Sequence, residues 1–547
     1  MASSKGGSLQ EGESSNDYRQ KKMGIVGAGL SGILVTKYLL SIGLKPIVFE
    51  AKEGIGGVWR ETFASTKLQT PRPAYQFTDF LWPSHVTTLL PNHSQVMDYF
   101  NSYANQFGLL DCIQFNTKVV EIRYSGKESG ASAGFVDKSE RIGQVQNSTG
   151  LWGKNGGAYD DGEVWDVGVH NCNGEIIEWY HFDFLILCIG KYGGLPKIPL
   201  FPPKKGSEVF QGKVLHTMDY SALNEKDAYE NIKGKRIVII GYQKSAIDFA
   251  VECAEANQGE NCPPCTMVFR KPYWFVPEDY LISGVHLAYL YGTRFSQFLL
   301  GKPAQGFLLN SISCILAPLR WSMSKFVELS LLWKYPLRKY GLVPDASFLQ
   351  SIASCNTGSF PNNFFPKVEE GLIRFRKSCS WSFYSKGIVL DDGTNVEADV
   401  VVLGTGYDGN EKLKTFLPTK FGDAFDKSGA ALSLYRGLIH PRIPQMAILG
   451  YSESSSNLQS SEIRSQWLAH FLSNKIVMPS VREMEVNTKE LQKYLKRLTP
   501  MFWKACIFQI TDNDNLCKDM GRNQMRKGNW YDDFFSPYSN MDYGMDN

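Results

Sequence analysis

The sequence has little of what marks secreted, membrane-spanning, metal-holding or nucleic-acid-binding chains. No apolar run approaches the roughly 18 residues that a transmembrane helix needs. The nearest, Phe307 to Leu319, is interrupted by Asn310, Ser311, Ser313 and Pro318 and reads as a buried helix. The first twenty residues are rich in Ser, Gly and charge with no apolar centre, which excludes a signal peptide and predicts a disordered tail over 1–20. The 11 cysteines are an odd number at irregular intervals, so no disulfide framework is expected and the chain reads as reduced and intracellular. Cys262-Pro263-Pro264-Cys265 is the one C-x-x-C; with no second pair or nearby histidine it reads as a loop, not a zinc site. The 8 histidines show no metal-ligand spacing, so no metal is expected. A net charge of +3 without any basic run interleaved with aromatics argues against nucleic acid. The expected location is the cytoplasm. Weak association with a membrane surface such as the endoplasmic reticulum, through the aromatic-rich stretch from Tyr280 to Trp333, is the alternative.

What is present is an ordinary globular composition, 43% hydrophobic and 21% charged over 547 residues, enough for two to four domains. Near the N-terminus the apolar run Met23-Gly24-Ile25-Val26 leads into Gly27-Ala28-Gly29-Leu30-Ser31-Gly32. A helical stretch follows to about Ser41, then Pro46-Ile47-Val48-Phe49-Glu50. This is a β-α-β unit with G-x-G-x-x-G spacing. Gly27 suits a tight turn, Gly29 lets backbone approach a pyrophosphate, and Gly32 lets the helix pack against the strand. The phosphates would sit at the helix N-terminus, where free N–H groups and the dipole favour negative charge. Glu50 falls where an acid accepts from an adenosine ribose, so the nucleotide carries a free 2′-hydroxyl, as FAD and NAD do.

Gly54-Ile55-Gly56-Gly57-Val58-Trp59-Arg60 then allows close backbone approach to a bulky planar ligand. A helix and the strand Lys118 to Arg123 come next, a Gly- and Ser-rich exposed loop is expected over 125–161, and strands resume at Glu163 to Val169 and Phe184 to Gly190. After the prolines at 196, 199, 202 and 203, a second β-α-β begins at Lys235-Arg236-Ile237-Val238-Ile239-Ile240-Gly241-Tyr242-Gln243-Lys244-Ser245-Ala246. Its helix runs to about Gln258 and its second strand is Thr266 to Phe269, followed by Arg270 and Lys271. Gln243 departs from the middle glycine, and Lys244 and Ser245 are candidates to donate to phosphates in compensation. Arg270, at the end where the first unit has Glu50, suits the 2′-phosphate of NADP. Two dinucleotide folds, one suited to FAD and one to NADPH, imply electron transfer between cofactors. The late strand Glu397 to Leu403, with Gly404-Thr405-Gly406-Tyr407-Asp408 after it, is expected to return to the first sheet, and the chain beyond about Trp503 reads as polar and loop-like.

From about Lys22 to Ser536 the chain resembles the flavin-containing monooxygenase family. The family's F-x-G-x-x-x-H-x-x-x-Y/F motif is met by Phe210, Gly212, His216 and Tyr220, and Gly404-Thr405-Gly406-Tyr407 is similar to its A-T-G-Y motif. More closely, Lys244 to Asp248, Cys188 to Pro199 and Tyr435 to Pro441 are similar to the plant branch containing the pipecolate N-hydroxylase of systemic acquired resistance. The resemblance implies an NADPH- and O2-dependent monooxygenase that forms a C4a-hydroperoxyflavin and oxygenates an amine or thioether. Pipecolate or a related cyclic amine leads the candidates; S-oxygenation and an auxin-forming reaction on an indole keto acid are alternatives. It places FAD on Gly27, Ala28, Gly29, Leu30, Ser31, Gly32, Glu50, Gly57, Trp59, Val119 and Gly406, and NADP on Gly241, Tyr242, Gln243, Lys244, Ser245, Ala246 and Arg270. His216 is expected to be structural. Where many members carry T-N-x-P-K, this chain has Leu68-Gln69-Thr70-Pro71-Arg72-Pro73, so either Gln69 supplies the missing amide or this branch dispenses with it.

The expected fold is α/β, two Rossmann-like domains with the NADPH domain inserted in the FAD domain. The boundaries are 21–205 and 346–505 for the two FAD parts, 206–345 for the NADPH domain and 506–547 for a C-terminal extension. Two rivals share some of these features. A disulfide reductase would need a redox cysteine pair by the flavin, where Val58, Trp59 and Arg60 stand instead. A degenerate cofactor protein acting by interaction would explain Gln243 and the missing Asn.

Overall fold

The computed structural model describes residues 18–126, 152, 156–159, 162–171, 176–259, 262–300, 306–419, 421, 434–452, 454–498 and 509–545. Strand β1 (Met23–Val26) is buried at every position, as a strand covered on both faces of a parallel sheet must be. Helix α1 (Leu30–Ser41) and strand β2 (Ile47–Phe49) complete the first unit. The sheet grows by β3 (Ile113–Gln114) beside β2, while β4 (Thr117–Gly126), β5 (Glu163–Asn171) and β6 (Ile177–Phe182) form an antiparallel meander against it. β7 (Phe184–Leu187) then pairs with β1 in parallel.

The chain next leaves this sheet. β8 (Lys213–His216), β9 (Ile237–Ile240), helix α2 (Lys244–Ala256) and β10 (Cys265–Phe269) open a second parallel sheet. After β11 (Phe275–Pro277) come helices α3 (Arg294–Phe298), α4 (Phe307–Ile315) and α5 (Ala317–Lys334). β12 (Gly358–Phe360) pairs with β11, and β13 (Ile373–Lys377) and β14 (Val400–Leu403) finish the second sheet. Helix α6 (Gly409–Phe416) leads back to β15 (Met446–Ile448), which rejoins the first sheet beside β7, and α7 (Asn457–Leu472) packs on α1. The strand orders are β15-β7-β1-β2-β3 and β13-β10-β9-β14-β8.

The insertion is therefore real, and the late glycine strand is placed differently from expectation. β14 pairs with β9 and β8 in the second sheet, and β15 is the strand that returns. An all-apolar strand is compatible with either sheet; its membership is fixed by long-range register, here Val401 against Val238 and Val214. The second domain accordingly extends to about Leu403, past the expected limit of 345.

Three further expectations change. Phe307 to Leu319 is helical but not buried: Phe307, Leu308 and Ile315 are 89%, 72% and 75% exposed, while Ser313 is buried. The chain end is not loop-like, for α8 (Gln509–Asp519) and α9 (Trp530–Phe535) are helices, and Leu516, Cys517 and Tyr543 join the first domain's core. Cys355 is disulfide-bonded, whereas Cys112, Cys188, Cys253, Cys262, Cys265, Cys314, Cys379 and Cys517 are free; irregular spacing carries no signal for a single bridge. Most of 125–161 and of the 1–20 tail lies outside the described residues, although Trp152 and Ala158 are buried.

Candidate functional site: two dinucleotide turns and the seam between them

The two β-α-β units are built on the same backbone bonds. In the first, Gly27 N donates to Phe49 O at 2.8 Å and Cys188 N to Val26 O at 2.8 Å. In the second, Gly241 N donates to Val268 O at 2.9 Å and Gly404 N to Ile240 O at 2.8 Å. Gly27 and Gly241 have φ of 99° and 134°, and a Cβ on either would strike the crossing strand, 2.6 Å from the Cys188 carbonyl oxygen or 2.3 Å from that of Gly404. Both turns are glycine by necessity, and each holds its helix N-terminus at the carboxyl edge of its sheet.

In the first turn a Cβ at Gly32 would lie 2.0 Å from the Gly27 carbonyl oxygen, so the helix rests directly on its own turn. Gly29 caps α1 without a side chain, which leaves the first N–H groups of the helix, at Leu30 and Ser31, free of any side-chain cap. Gly57 approaches it so closely that a Cβ there would be 3.1 Å from the Gly29 Cα. Glu50 is 8% exposed and fixed by two main-chain donors, Ala28 N to Oε2 at 2.7 Å and Lys52 N to Oε1 at 3.0 Å. A carboxylate has about four acceptor sites, so two donors leave room for ribose hydroxyls. Trp59 ends a short helical turn starting at Gly57. Val119 is buried with Val26 and Phe49 under the sheet, and Gly406 lies in the connection after β14, so these two stand apart from the turn.

The second turn differs in its side chains. Tyr242 is buried, its ring edge-on to Phe275 at 5.5 Å. Gln243 is exposed and caps α2 without using its side chain. Ser245 is half-buried in the first helical turn. Lys244 does not reach toward a phosphate: its Nζ is 2.7 Å from Asp248 Oδ1, one helical turn on, because the buried Asp248 carboxylate needs a cation. Burial still raises the Asp248 pKa above the ordinary carboxylate value, with Lys244 opposing it. By the equivalence of the backbone bonds, Phe269 stands where Glu50 stands, and Arg270 one residue further on. Arg270 is exposed and has no side-chain partner among the described residues.

Between the turns lies a seam. Tyr280 O–H, from the inserted domain, donates to the Gln69 carbonyl oxygen, and Thr70 Oγ1 donates to Ser455 O at 3.0 Å just before α7. Lys67 meets Glu278 at 3.7 Å. Tyr280 holds φ of 56°, a region costly for an aromatic residue, and Ser283 holds 48°. Gln69 itself is exposed, its side chain beside Gly358 of β12. The sequence marks Tyr280 as the start of an aromatic-rich stretch, with no sign that it belongs to the seam.

Two groups fasten the connections themselves. His216 accepts from Met218 N through Nδ1 and donates Nε2–H to Gly406 O, both at 3.1 Å, so main-chain partners fix its tautomer. Burial lowers its pKa below the ordinary value. A neutral ring with both nitrogens engaged is a fastening, not a base. Lys412 of α6 donates to Ile189 O at 2.6 Å and Gly193 O at 3.2 Å, its pKa lowered by burial despite Glu61 and Glu50 nearby. Among the described residues, no group of His, Cys, Asp and Glu could hold a metal ion. Cys262 and Cys265 are unlinked thiols, and burial pushes that of Cys265 up to about 12.

Comparison with known proteins gives a consistent result. The profile of the FMO-like family, described as flavin-binding monooxygenase-like, matches residues 20–144 and 158–505. A curated relative from Arabidopsis thaliana, "Probable flavin-containing monooxygenase 1", is 44% identical over 528 residues, covering 95% of this chain and 96% of that protein. Among solved structures, S-allyl-L-cysteine S-oxygenase from Allium sativum aligns with a TM-score of 0.54 at 18% identity, covering 92% of this chain and 89% of that one. OTEMO in complex with FAD and NADP aligns with a TM-score of 0.61 at 17% identity, covering 89% and 93%. At such identities the likeness is one of fold.

Proposed function

The chain belongs to the flavin-binding monooxygenase-like family, and from that premise we propose that it holds FAD on the first turn and NADPH on the second and hydroxylates the nitrogen of pipecolate or a related cyclic secondary amine. The observation that carries the cofactor assignment is the opposite chemistry at the ends of equivalent strands, a buried carboxylate at Glu50 and an exposed guanidinium at Arg270. The first suits a free ribose hydroxyl, the second a 2′-phosphate. The fit rests on this chain's own geometry: Gly29 and Gly57 keep side chains out of the cradle, and the N–H groups opening α1 face an anion unopposed. The substrate reading rests on resemblance to the plant branch through Lys244 to Asp248, Cys188 to Pro199 and Tyr435 to Pro441.

When bound, FAD reduced by NADPH supplies the oxygen-activating chemistry. The protein's part is to bind, orient and exclude water. Glu50 and the α1 N-terminus anchor one dinucleotide, Arg270 and Ser245 select the other, and His216 and Lys412 hold the connections that set the two turns facing each other. Gln69, at the seam, is the amide available to the reacting centre. The net reaction takes the amine, O2, NADPH and a proton to the hydroxylamine, NADP⁺ and water. A secondary amine attacks only when neutral, so a desolvated pocket favours the reactive form.

One experiment tests the reading: purify the full chain, measure bound flavin, compare NADPH with NADH for the wild type and Arg270→Ala, and identify products made from labelled dioxygen. The expected results are bound FAD, a preference for NADPH that falls by about tenfold or more in the variant, as loss of a charge-assisted contact implies, and one labelled oxygen on the pipecolate nitrogen. Labelled thioether products with unaltered pipecolate would retain the class and reject this substrate. A chain that cannot be loaded with FAD would reject the whole reading.

A further inference from the structure

A cation on the first turn of a helix opposes the dipole unless an anion shares that end. Lys244 stands there on α2, beside a glycine turn whose cap, Gln243, gives no side-chain group to the free N–H donors. Its partner lies the other way, for Nζ is 2.7 Å from Asp248 Oδ1, one turn into the helix. The Lys244 side chain is 21% exposed and that of Asp248 only 9%, so the cation can leave the pair and the carboxylate cannot follow it. Among the described residues Lys244 is the one ion-pair partner Asp248 has. The charged groups acting on Asp248 are Lys244 and Glu252 on α2 and Glu278 after β11. Both glutamates are held elsewhere: Glu252 accepts from Tyr220 O–H at 2.6 Å and Ser65 Oγ at 3.0 Å, and Glu278 meets Lys67 at 3.7 Å. Without Lys244, Asp248 would be a buried charge near two others of the same sign, a state that a carboxyl group escapes by taking a proton.

We propose that Lys244 is shared between Asp248 and the pyrophosphate of the bound nucleotide, so that binding on the second turn takes one proton from solvent onto the Asp248 carboxylate. The inference rests on the reading that this turn holds NADPH. Lys244 stays charged throughout and exchanges one oxyanion for another, while the carboxylate it leaves becomes a carboxylic acid. Gln243 gives the exchange its purpose: with a side chain where bare backbone would otherwise meet the phosphates, a movable cation does part of the holding. The pH dependence then has a fixed sign. Burial and the two glutamates raise the Asp248 pKa and Lys244 opposes them, so the bound state, with Lys244 withdrawn, holds the proton more firmly than the free state. Affinity is therefore highest below the Asp248 pKa of the free protein. It falls as pH rises from there toward the higher pKa of the bound state, by up to about tenfold per pH unit.

The test is isothermal titration calorimetry of the FAD-loaded full chain with NADP⁺ in buffers of different ionisation enthalpy, from about pH 6 to about pH 9, which counts the protons taken up per nucleotide. Adenosine 2′-phosphate, which carries the 2′-phosphate without a pyrophosphate, is titrated alongside to account for that phosphate's own protonation. Asp248→Asn and Lys244→Met are run with both ligands, with flavin content and melting temperature as controls for folding. The wild type is expected to take up about one proton more with NADP⁺ than with adenosine 2′-phosphate, and each variant none more. Asp248→Asn should keep its NADP⁺ affinity nearly flat with pH and exceed the wild type at the alkaline end, whereas Lys244→Met should bind roughly tenfold more weakly at the acid end. A merely structural ion pair would lower stability in both variants without moving the proton count. Equal counts for the two ligands in the wild type, or an excess that survives in either variant, would overturn the proposal while leaving the nucleotide on this turn. A FAD-loaded protein that binds neither ligand would overturn the proposal together with the reading beneath it. If a variant loses flavin or melts early, the wild-type comparison of the two ligands decides by itself.

Discussion

At the scale of single residues, the one departure in the late strand's motif is matched across a helix-strand contact. The second turn has Ala246 where the first has Gly32, and the late strand has Gly404 where the family motif has alanine. A Cβ at Gly404 would lie 2.9 Å from that of Ala246 and 3.2 Å from the Ile240 carbonyl oxygen. The methyl group has moved across the helix-strand contact without changing how much is there. Gly404→Ala alone overfills a closed space and is expected to cost about 1–3 kcal/mol, lowering the melting temperature, whereas Gly404→Ala/Ala246→Gly should recover most of it. A single variant as stable as wild type would show that the contact relaxes freely. The match is not visible along the sequence, because it runs between positions 158 residues apart.

At the scale of elements, legibility follows how local the cause is. Helix α1 ends at Ser41 and α2 at Ala256, close to where the glycine turns and apolar spacing put them, since both are specified by their own residues. Helix α7 gave no such signal. Ser460, Ser461, Glu462, Ser465 and Gln466 are buried alongside Ile463 and Trp467, so it is packed on every side and no apolar stripe stands out. Its polar residues are satisfied by partners far away in sequence: Glu462 accepts from Tyr38 O–H at 2.9 Å, Thr78 Oγ1 at 2.7 Å and Asn540 Nδ2 at 2.5 Å. Burial raises the Glu462 pKa, with Thr78, Asn540 and Tyr38 opposing it. Glu462→Gln can set its amide N–H against Asn540 Nδ2 and Thr78 N, which only donate, and should cost about 1–3 kcal/mol. The sign of the pH effect follows from the raised value. The folded state holds this proton more tightly than the unfolded chain, so the wild type loses stability as pH rises from the ordinary carboxylate range through the raised pKa, and the variant has no such slope. The gap between the two should narrow with rising pH in urea titrations; a gap that widens would contradict the assignment.

At the scale of the whole molecule, the two-domain plan was legible and its stitching was not. Two glycine turns and their flanking strands announce two dinucleotide folds, but which sheet receives β14, and what holds the inserted domain against the first, depend on contacts between distant segments. The C-terminal helices supply one such stitch. Leu516 and Cys517 of α8 lie in the first domain's core, and Asp519 takes Trp467 Nε1 at 3.0 Å, while Asp514 binds Arg294 of the inserted domain in a two-pronged pair, with Tyr538 O–H accepting from Arg294 Nε at 3.0 Å. Phe295 and Phe298 of α3 add ring contacts to Phe534 at 5.8 and 6.2 Å. Both charged side chains are about nine-tenths buried, at 10% and 12% exposure. Burial alone would lower the Arg294 pKa, yet Asp514 and Tyr538 outweigh it and hold the guanidinium above its ordinary value. Removing Arg294 takes the two-pronged partner from a buried carboxylate, so Arg294→Met should destabilise the protein by about 3–5 kcal/mol, whereas Arg294→Met/Asp514→Leu should regain most of that, because replacing both members removes the buried charge that lost its cation. The first turn is built from other residues, so FAD content should survive in the double variant. The alignment of the two domains would lose a tether, and the rate at which NADPH reduces the flavin should fall while FAD stays bound. A double variant as unstable as the single one, or one that reduces flavin at the wild-type rate, would show that the C-terminal segment covers the core without holding the domains together.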